Sequence, residues 1–145
     1  MSEMTSAEPA ELVWQRLWFT LREQNWTSMA VLGTTDAQSV EMVARTLAEV
    51  GIRDEKIPVG VISALGMSFS DAAAVAARVE ERASQAELMI ITSDSPGTNP
   101  AMIPVLGAVN AVVLVVRLGE SSLDAVRRLA DGVGRDKILA TVTIG

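Results

Sequence analysis

Short runs rich in Val, Ile and Leu alternate along the chain with longer segments in which apolar residues recur every three or four positions. Runs of the first kind are typical of strands buried on both faces, and segments of the second kind are typical of amphipathic helices. The pattern predicts strands at 28–33, 57–64, 88–91, 111–117 and 137–144, and helices at 11–23, 39–51, 69–86, 101–109 and after a cap at Ser121 or Ser122. This alternation predicts an α/β fold, a three-layer α/β/α sandwich on a mostly parallel sheet of about five strands.

The pattern also predicts one domain, residues 11–145, after a polar and acidic segment, residues 1–10, that we expect to be a flexible leader. The first helix is aromatic and amphipathic, and we expect the face that carries Trp14 and Trp18 to pack on the sheet. Phe19 projects about 100° away from Trp18, so at least one of the two should leave that face and mark an interface with a partner or a second copy. The candidate interface residues are Trp14, Trp18, Phe19 and Arg22.

In the last helix we expect an inward stripe and a solvated charged face. The expected inward residues are Leu123, Val126, Ala130 and Val133. Arg127 and Arg128 belong to the charged face, where a solvated role is the simpler interpretation and contact with an acidic lipid or partner is the alternative.

Composition supports a folded core and removes several kinds of chemistry. Hydrophobic residues make up 49% of the chain and charged residues 21%, which is ordinary for a globular domain. The chain has no Cys, no His and no Tyr, so thiol nucleophiles, imidazole proton shuttles and thiolate or imidazole metal ligands are excluded. A net charge of −6 spread along the chain argues against a nucleic-acid partner, since phosphate binding needs clustered Lys and Arg.

The N-terminal segment and the longest apolar run both bear on where in the cell the protein is located. The N-terminal segment has neither the basic nor the apolar region of a signal peptide. The longest strongly apolar run, residues 108–116, is too short to span a bilayer. We therefore expect a cytoplasmic protein.

The loop after the first central strand is the first place to look for function, because parallel sheets bind ligands at the carboxyl ends of their strands. A phosphate-binding loop needs several glycines, a Lys and a Ser or Thr, whereas the segment 33–40 has one glycine, no Lys and an added Asp36. A carboxylate at this helix terminus repels a triphosphate by about 1–4 kcal/mol at intermediate dielectric. We expect Asp36 or Ser39 to be a helix cap.

Several segments together resemble the bacterial tyrosine autokinases of polysaccharide export (BY-kinases), within the ParA/MinD-like group of P-loop ATPases. Residues 9–21 follow the apolar skeleton of that family's N-terminal helix, although the family's charged signature falls on Leu12, Gln15 and Trp18. Residues 86–93 (AELMIITS) are similar to its FDLVIIDTPP strand, 110–121 (NAVVLVVRLGES) to its ADGVLLVVRAGRT strand, and 138–144 (ILATVTI) to its VLGVVLN strand. The resemblance implies a P-loop-NTPase-like, Rossmann-like topology.

The family's chemistry does not transfer to the matching positions. Its G-x-G-K-S/T loop lies over residues 36–39, so Gln38 takes the place of the phosphate Lys and Ser39 offers a hydroxyl where magnesium would be held. Its second acidic motif lies over residues 63–65, beginning at Ser63, and its magnesium-orienting Asp lies over Thr92, with Asp94 nearby. The positions of this degenerate nucleotide site are Gly33, Thr34, Thr35, Asp36, Gln38, Ser39, Ser63, Thr92 and Asp94. The C-terminal tyrosines that these enzymes phosphorylate have no counterpart, since the chain has no Tyr.

Two functional hypotheses follow. The first is a catalytically inactive pseudo-kinase without a cofactor, which contacts an inner-membrane polysaccharide co-polymerase or another export protein and lies at the membrane through that partner. The second is a small-molecule or metal-dependent activity in the crevice, with Asp36, Ser63 and Asp94 as its central residues and Thr34 and Ser93 beside them. For Asp94 the simpler interpretation is an ordinary turn residue. Arg117 could pair with Asp94, bind an anion or form another internal ion pair.

Overall fold

The computed structural model describes residues 2–4, 10–34, 36–82, 87–119 and 122–145. Its helices are α1 (Ala10–Arg22), α2 (Ala37–Val50), α3 (Phe69–Arg82), α4 (Ile103–Ala108) and α5 (Leu123–Val133). Its strands are β1 (Ser2–Met4), β2 (Ser28–Gly33), β3 (Val59–Ser63), β4 (Leu88–Thr92), β5 (Ala111–Arg117) and β6 (Ile138–Ile144). A π-helical turn (Gly51–Glu55) continues α2, and 3-10 turns precede α4 (Pro100–Met102) and β6 (Arg135–Lys137).

The strands form one parallel sheet in the order β1-β6-β5-β2-β4-β3. The predicted α/β fold on a parallel sheet is therefore confirmed. Residues 2–4 of the segment expected to be a flexible leader form the edge strand β1, in which Ser2 lies opposite Ala140. The sheet gains a sixth strand in this way, through backbone pairing that apolar periodicity does not reveal.

Two hydrophobic cores cover the two faces of the sheet. On one face α1 and α2 pack over β2, β4, β5 and β6, with Trp18 and Leu47 fully buried. On the other face α3, α4 and α5 pack over the same central strands, with Met102 and Leu114 among the fully buried side chains. These layers make β2 the centre of the sandwich and bury both of its faces.

The helices leave the central strands toward opposite faces. The chain passes from β2 into α2 on one face, whereas β4 and β5, the two neighbours of β2, lead to α4 and α5 on the other. Connections that diverge in this way open a crevice at the carboxyl ends of the strands. The crevice is where a site is to be sought.

The π-helical turn fastens α1 to α2. The indole Nε1 of Trp18 donates to a carboxylate oxygen of Glu55 at 3.1 Å, and Arg22 Nε donates to the same oxygen at 3.1 Å. The Arg53 guanidinium donates to Asp54 and so holds the pKa of that carboxyl below its usual value. The two bonds to Glu55 therefore join the aromatic helix to the turn that follows α2.

The second helix starts earlier than the sequence prediction and ends where it was predicted to end. The second helix begins at Ala37 with Asp36 as its N-cap, so Ser39 is not the cap. α2 ends at Val50, next to the predicted end at Gly51, but Gly51 has right-handed helical dihedral angles and the chain continues through the π-helical turn to Lys56, whose φ is 58°. Gly51 is instead needed for packing, because a Cβ there would lie 2.5 Å from Cζ2 of Trp18.

The inward face of the last helix also differs. Leu129 and Val133 are buried, whereas Leu123, which was expected to face inward, is 64% exposed. Val126 and Ala130 are partly buried. The predicted stripe therefore faces inward except at the first residue of the helix, which is left at the surface.

We predict that Gly51→Ala lowers the free energy of unfolding by about 1–3 kcal/mol, because the added methyl group overpacks the contact with Trp18. Gly107→Ala is the matched control: Gly107 lies in α4, has open space around its Cα and should gain up to about 1 kcal/mol from helix propensity. Urea unfolding of both variants measures the difference. Equal stability of the two variants would contradict this role of Gly51.

Candidate functional site

The crevice at the carboxyl edge has a volume of about 920 Å³ and lies between the end of β2, the turn after β4 and the inner side of α5. Its polar lining comes from small hydroxyl groups and one cation, and its apolar lining from α4 and α5. The lining residues are Gly33, Thr34, Ser95, Pro96, Gly97, Thr98, Ile103, Ala125, Arg128, Leu129 and Gly132. Its position, where the connections of β2 and β5 diverge, is the usual ligand position in such sheets.

Gly33 at the end of β2 has a packing reason for being glycine. A Cβ at this position would collide with the backbone carbonyl of Val115 on β5. The next residue, Thr34, donates its backbone N–H to the same carbonyl oxygen at 3.2 Å. The close approach of β5 therefore accounts for the glycine without any bound phosphate.

The N-terminus of α2 is occupied by the carboxylate of Asp36. The Ser39 backbone N–H donates to Asp36 Oδ1 at 2.7 Å, and the Ser39 hydroxyl donates to Asp36 Oδ2 at 3.0 Å. The expectation that one of these two residues caps the helix is confirmed for Asp36. The amide that a phosphate oxygen would use at this terminus already has an acceptor.

Arg117 reaches this cap from the end of β5. Its Nη2 donates to the Ser39 hydroxyl oxygen at 2.7 Å and lies 3.6 Å from Asp36 Oδ2. Its Nη1 donates to the carbonyl oxygen of Gly145 at 3.1 Å. Of the roles considered for Arg117, the structure supports an internal ion pair; the partner is Asp36, and the suggested pair with Asp94 is not formed.

Gln38, at the position of the family's phosphate Lys, is exposed on the first turn of α2 and is not among the residues that line the crevice. Thr35 lies outside the described residues. The loop therefore presents no cation from its own residues 33, 34 and 36–39 toward the crevice.

Ser63 and Thr92 lie side by side at the carboxyl ends of β3 and β4, where the family carries acids. The Ser63 hydroxyl donates to Glu41 at 3.3 Å, and the pair lines a small cavity of about 160 Å³ with Glu41 and Arg45. The Thr92 hydroxyl is buried and has no hydrogen-bond partner among the described residues. A lone buried hydroxyl costs far less free energy than a buried carboxylate would at the same place.

Asp94 organises two turns. One of its carboxylate oxygens accepts the backbone N–H of Gly66 at 2.7 Å and the side-chain N–H of Asn99 at 3.2 Å. Asn99 also donates to the carbonyl oxygen of Met67 at 3.1 Å. Gly66 has a φ of 70°, a conformation that a side chain would strain. Asp94 thus has the turn role that the simpler interpretation gave it, and Asn99 is a partner that the sequence did not indicate.

The residues of the second hypothesis therefore belong to separate networks. Asp36 caps α2, Ser63 bonds to Glu41, and Asp94 holds the turns at 66–67 and 99. Within the part of the chain that the structure describes, no three acidic side chains converge on a point that could hold a metal ion. The structure therefore does not bring Asp36, Ser63 and Asp94 together in one site.

Most of the candidate interface residues of α1 face inward. Trp14 and Trp18 are buried in the core, and Arg22 pairs with Glu55 while lying 5.7 Å from the ring centroid of Trp26. Phe19 is 45% exposed, as its angle from Trp18 requires. Phe19 is thus the member of the set that presents a large apolar surface.

The comparisons with known proteins leave the family open. No protein-family model matches the chain, and no curated protein matches it significantly. Among the described residues no helix has the length and apolar character needed to cross a membrane. The family resemblance is therefore carried forward as a proposal.

We predict that Asp36→Ala lowers the free energy of unfolding by about 1 kcal/mol, because the N-cap of α2 is lost. Asp36→Asn should cost less, since Asn caps as well as Asp and the half-exposed ion pair with Arg117 contributes roughly 0–1 kcal/mol. Urea unfolding at low and high salt separates the two terms. A neutral Asp36→Ala variant would contradict the cap.

Proposed function

We propose that this chain is a non-hydrolysing relative of the BY-kinase and ParA/MinD-like P-loop ATPases, which acts by contacting other proteins in bacterial polysaccharide synthesis or export. The observation that carries the proposal is the Asp36 carboxylate at the N-terminus of α2, bonded to Ser39 and paired with Arg117. A scaffold of this class uses that terminus to hold phosphates.

The electrostatics of the terminus support the loss of nucleotide chemistry. A triphosphate would have to displace Asp36 from the amide and hydroxyl of Ser39, and it would meet the displaced negative charge close by. Two unit charges of like sign 4 Å apart repel by about 4 kcal/mol at an effective dielectric of 20. Arg117 offsets part of this repulsion, but it is already bonded to the cap and to the carbonyl of Gly145.

The metal-holding positions support the same proposal. Magnesium in this class of site is held by oxygen ligands that include carboxylates. Ser63 and Thr92 stand where the resemblance places those acids, and neither supplies a negative charge. Hydrolysis would lack both the cation that grips the phosphates and the acids that place the metal.

The partner in this proposal is the cytoplasmic part of an inner-membrane polysaccharide co-polymerase or another export protein. The chain would then be cytoplasmic and lie at the membrane through that partner, with a homodimer as a further form. The family resemblance supports this assignment, and a scaffold of this class that has lost its phosphate site would retain contact with other proteins as its function.

We predict that calorimetric titration of the full chain with Mg²⁺ and ATP or GTP gives no binding tighter than about 1 mM, which corresponds to about 4 kcal/mol. Circular dichroism in the same buffer controls for folding. A phosphate-release assay on the same sample gives the second readout. Micromolar binding accompanied by turnover would contradict the proposal.

A further inference from the structure

The face of the sheet covered by α3, α4 and α5 carries an unusual set of exposed apolar residues at its carboxyl edge. Each of these helices begins with a large hydrophobic residue that is mostly exposed, and the turn after β5 adds another. The four residues are Phe69, Ile103, Leu118 and Leu123. Their exposed fractions, 61–66%, are the largest among the described large hydrophobic side chains. We call this set the apolar rim.

The apolar rim lies at the same edge of the sheet as the crevice. Ile103 lines it directly, and α3, which begins at Phe69, packs beside α4. Leu118 and Leu123 lie on either side of the loop that joins β5 to α5, the helix that forms the opposite wall. A small molecule in the crevice would leave Phe69, Leu118 and Leu123 in water, because these three are not part of its lining. Large apolar side chains left exposed at one edge of a fold are typical of surfaces that contact another protein.

Arg128 indicates which charge a partner should carry where it meets the crevice. It alone carries a charge among the described lining residues of the crevice. Its Nε donates to the carbonyl oxygen of Asp124 at 3.4 Å, and no described carboxylate lies within ion-pair distance of its guanidinium. Desolvating this cation under a partner is favourable only where the partner supplies an acceptor of opposite charge. An acidic side chain is the matching group.

We propose that the crevice and the apolar rim form a docking site for a protein segment in which large apolar side chains flank an Asp or Glu. The carboxylate pairs with Arg128 inside the crevice, while the apolar side chains cover Ile103 and its neighbours on the rim. This inference rests on the proposed function, which assigns the chain a role in protein contact, and it names the surface and the chemistry of the partner.

The probe is a phage-displayed library of random peptides selected on the immobilised full chain, followed by synthesis of the enriched peptides. We expect enrichment of peptides with one or two acidic residues between large apolar ones. Fluorescence anisotropy of a labelled peptide then gives its affinity for the chain and for each variant. Salt should weaken binding, since an ion pair contributes to it.

Two matched pairs of variants locate the binding surface. Arg128→Glu should weaken peptide binding at least about tenfold, whereas Arg127→Glu, on the adjacent residue outside the crevice, should leave it within about twofold. Ile103→Ser should weaken it about fivefold or more, whereas Ile52→Ser, the same change at another exposed isoleucine on the π-helical turn, should not. All four positions are exposed, so the variants should fold, and circular dichroism verifies this.

Three results would overturn the inference. In the first, the selection enriches no peptides that combine acidic and apolar residues. In the second, Arg128→Glu leaves the affinity for the peptides unchanged. In the third, the peptides no longer bind the Phe19→Ser variant but still bind the Ile103→Ser variant. Self-association of the free chain that Arg128→Glu abolishes, measured by sedimentation, would assign the surface to a second copy and would also overturn it. Failure of the proposed function would be seen separately, because it would appear as nucleotide turnover in the phosphate-release assay and does not depend on the peptide-binding result.

Discussion

The carboxylate of Asp36 at the N-terminus of α2 is the interaction on which the chemistry of this fold depends. The helix that follows the central strand of a parallel sheet presents its positive end and free amides at the natural ligand position. In this chain the Ser39 amide and hydroxyl both bond to Asp36, and Arg117 balances its charge from the neighbouring strand. An external anion would compete with an acceptor that the chain itself supplies.

The order of the strands makes this arrangement possible. Because β5 lies next to β2, its last residue, Arg117, reaches the cap of the helix that follows β2. The same closeness requires glycine at position 33, where any side chain would strike the carbonyl of Val115. The divergence of α2 and α5 to opposite faces leaves the crevice open beside the occupied terminus. One sheet topology thus places both the capped helix terminus and the crevice at the same edge of the sheet.

The fold could be predicted from the sequence because its strands are long apolar runs and its helices have clear periodicity. β2 and β5 begin and end where the pattern predicted. Features that depend on a distant partner could not be predicted. The pairing of β1 with β6 joins segments that are far apart in the sequence, and the exposure of Leu123 depends on how the start of α5 lies on the sheet.

In the candidate site, too, local contacts could be predicted and contacts between distant residues could not. The capping role of Asp36 was predictable, because it is a contact between residues three positions apart. The link from Arg117 to Ser39 spans 78 residues along the chain, and the position of Arg128 in the crevice depends on the turn after β4, so periodicity could not place either.

The most direct measurement is the position of the Ser39 amide signal in a ¹⁵N–¹H NMR spectrum as pyrophosphate is added. If Asp36 occupies the terminus, the amide signals of residues 37–39 should not shift with a saturable dependence on pyrophosphate concentration. A saturable shift centred on Ser39, with the amide released from Asp36, would contradict the account.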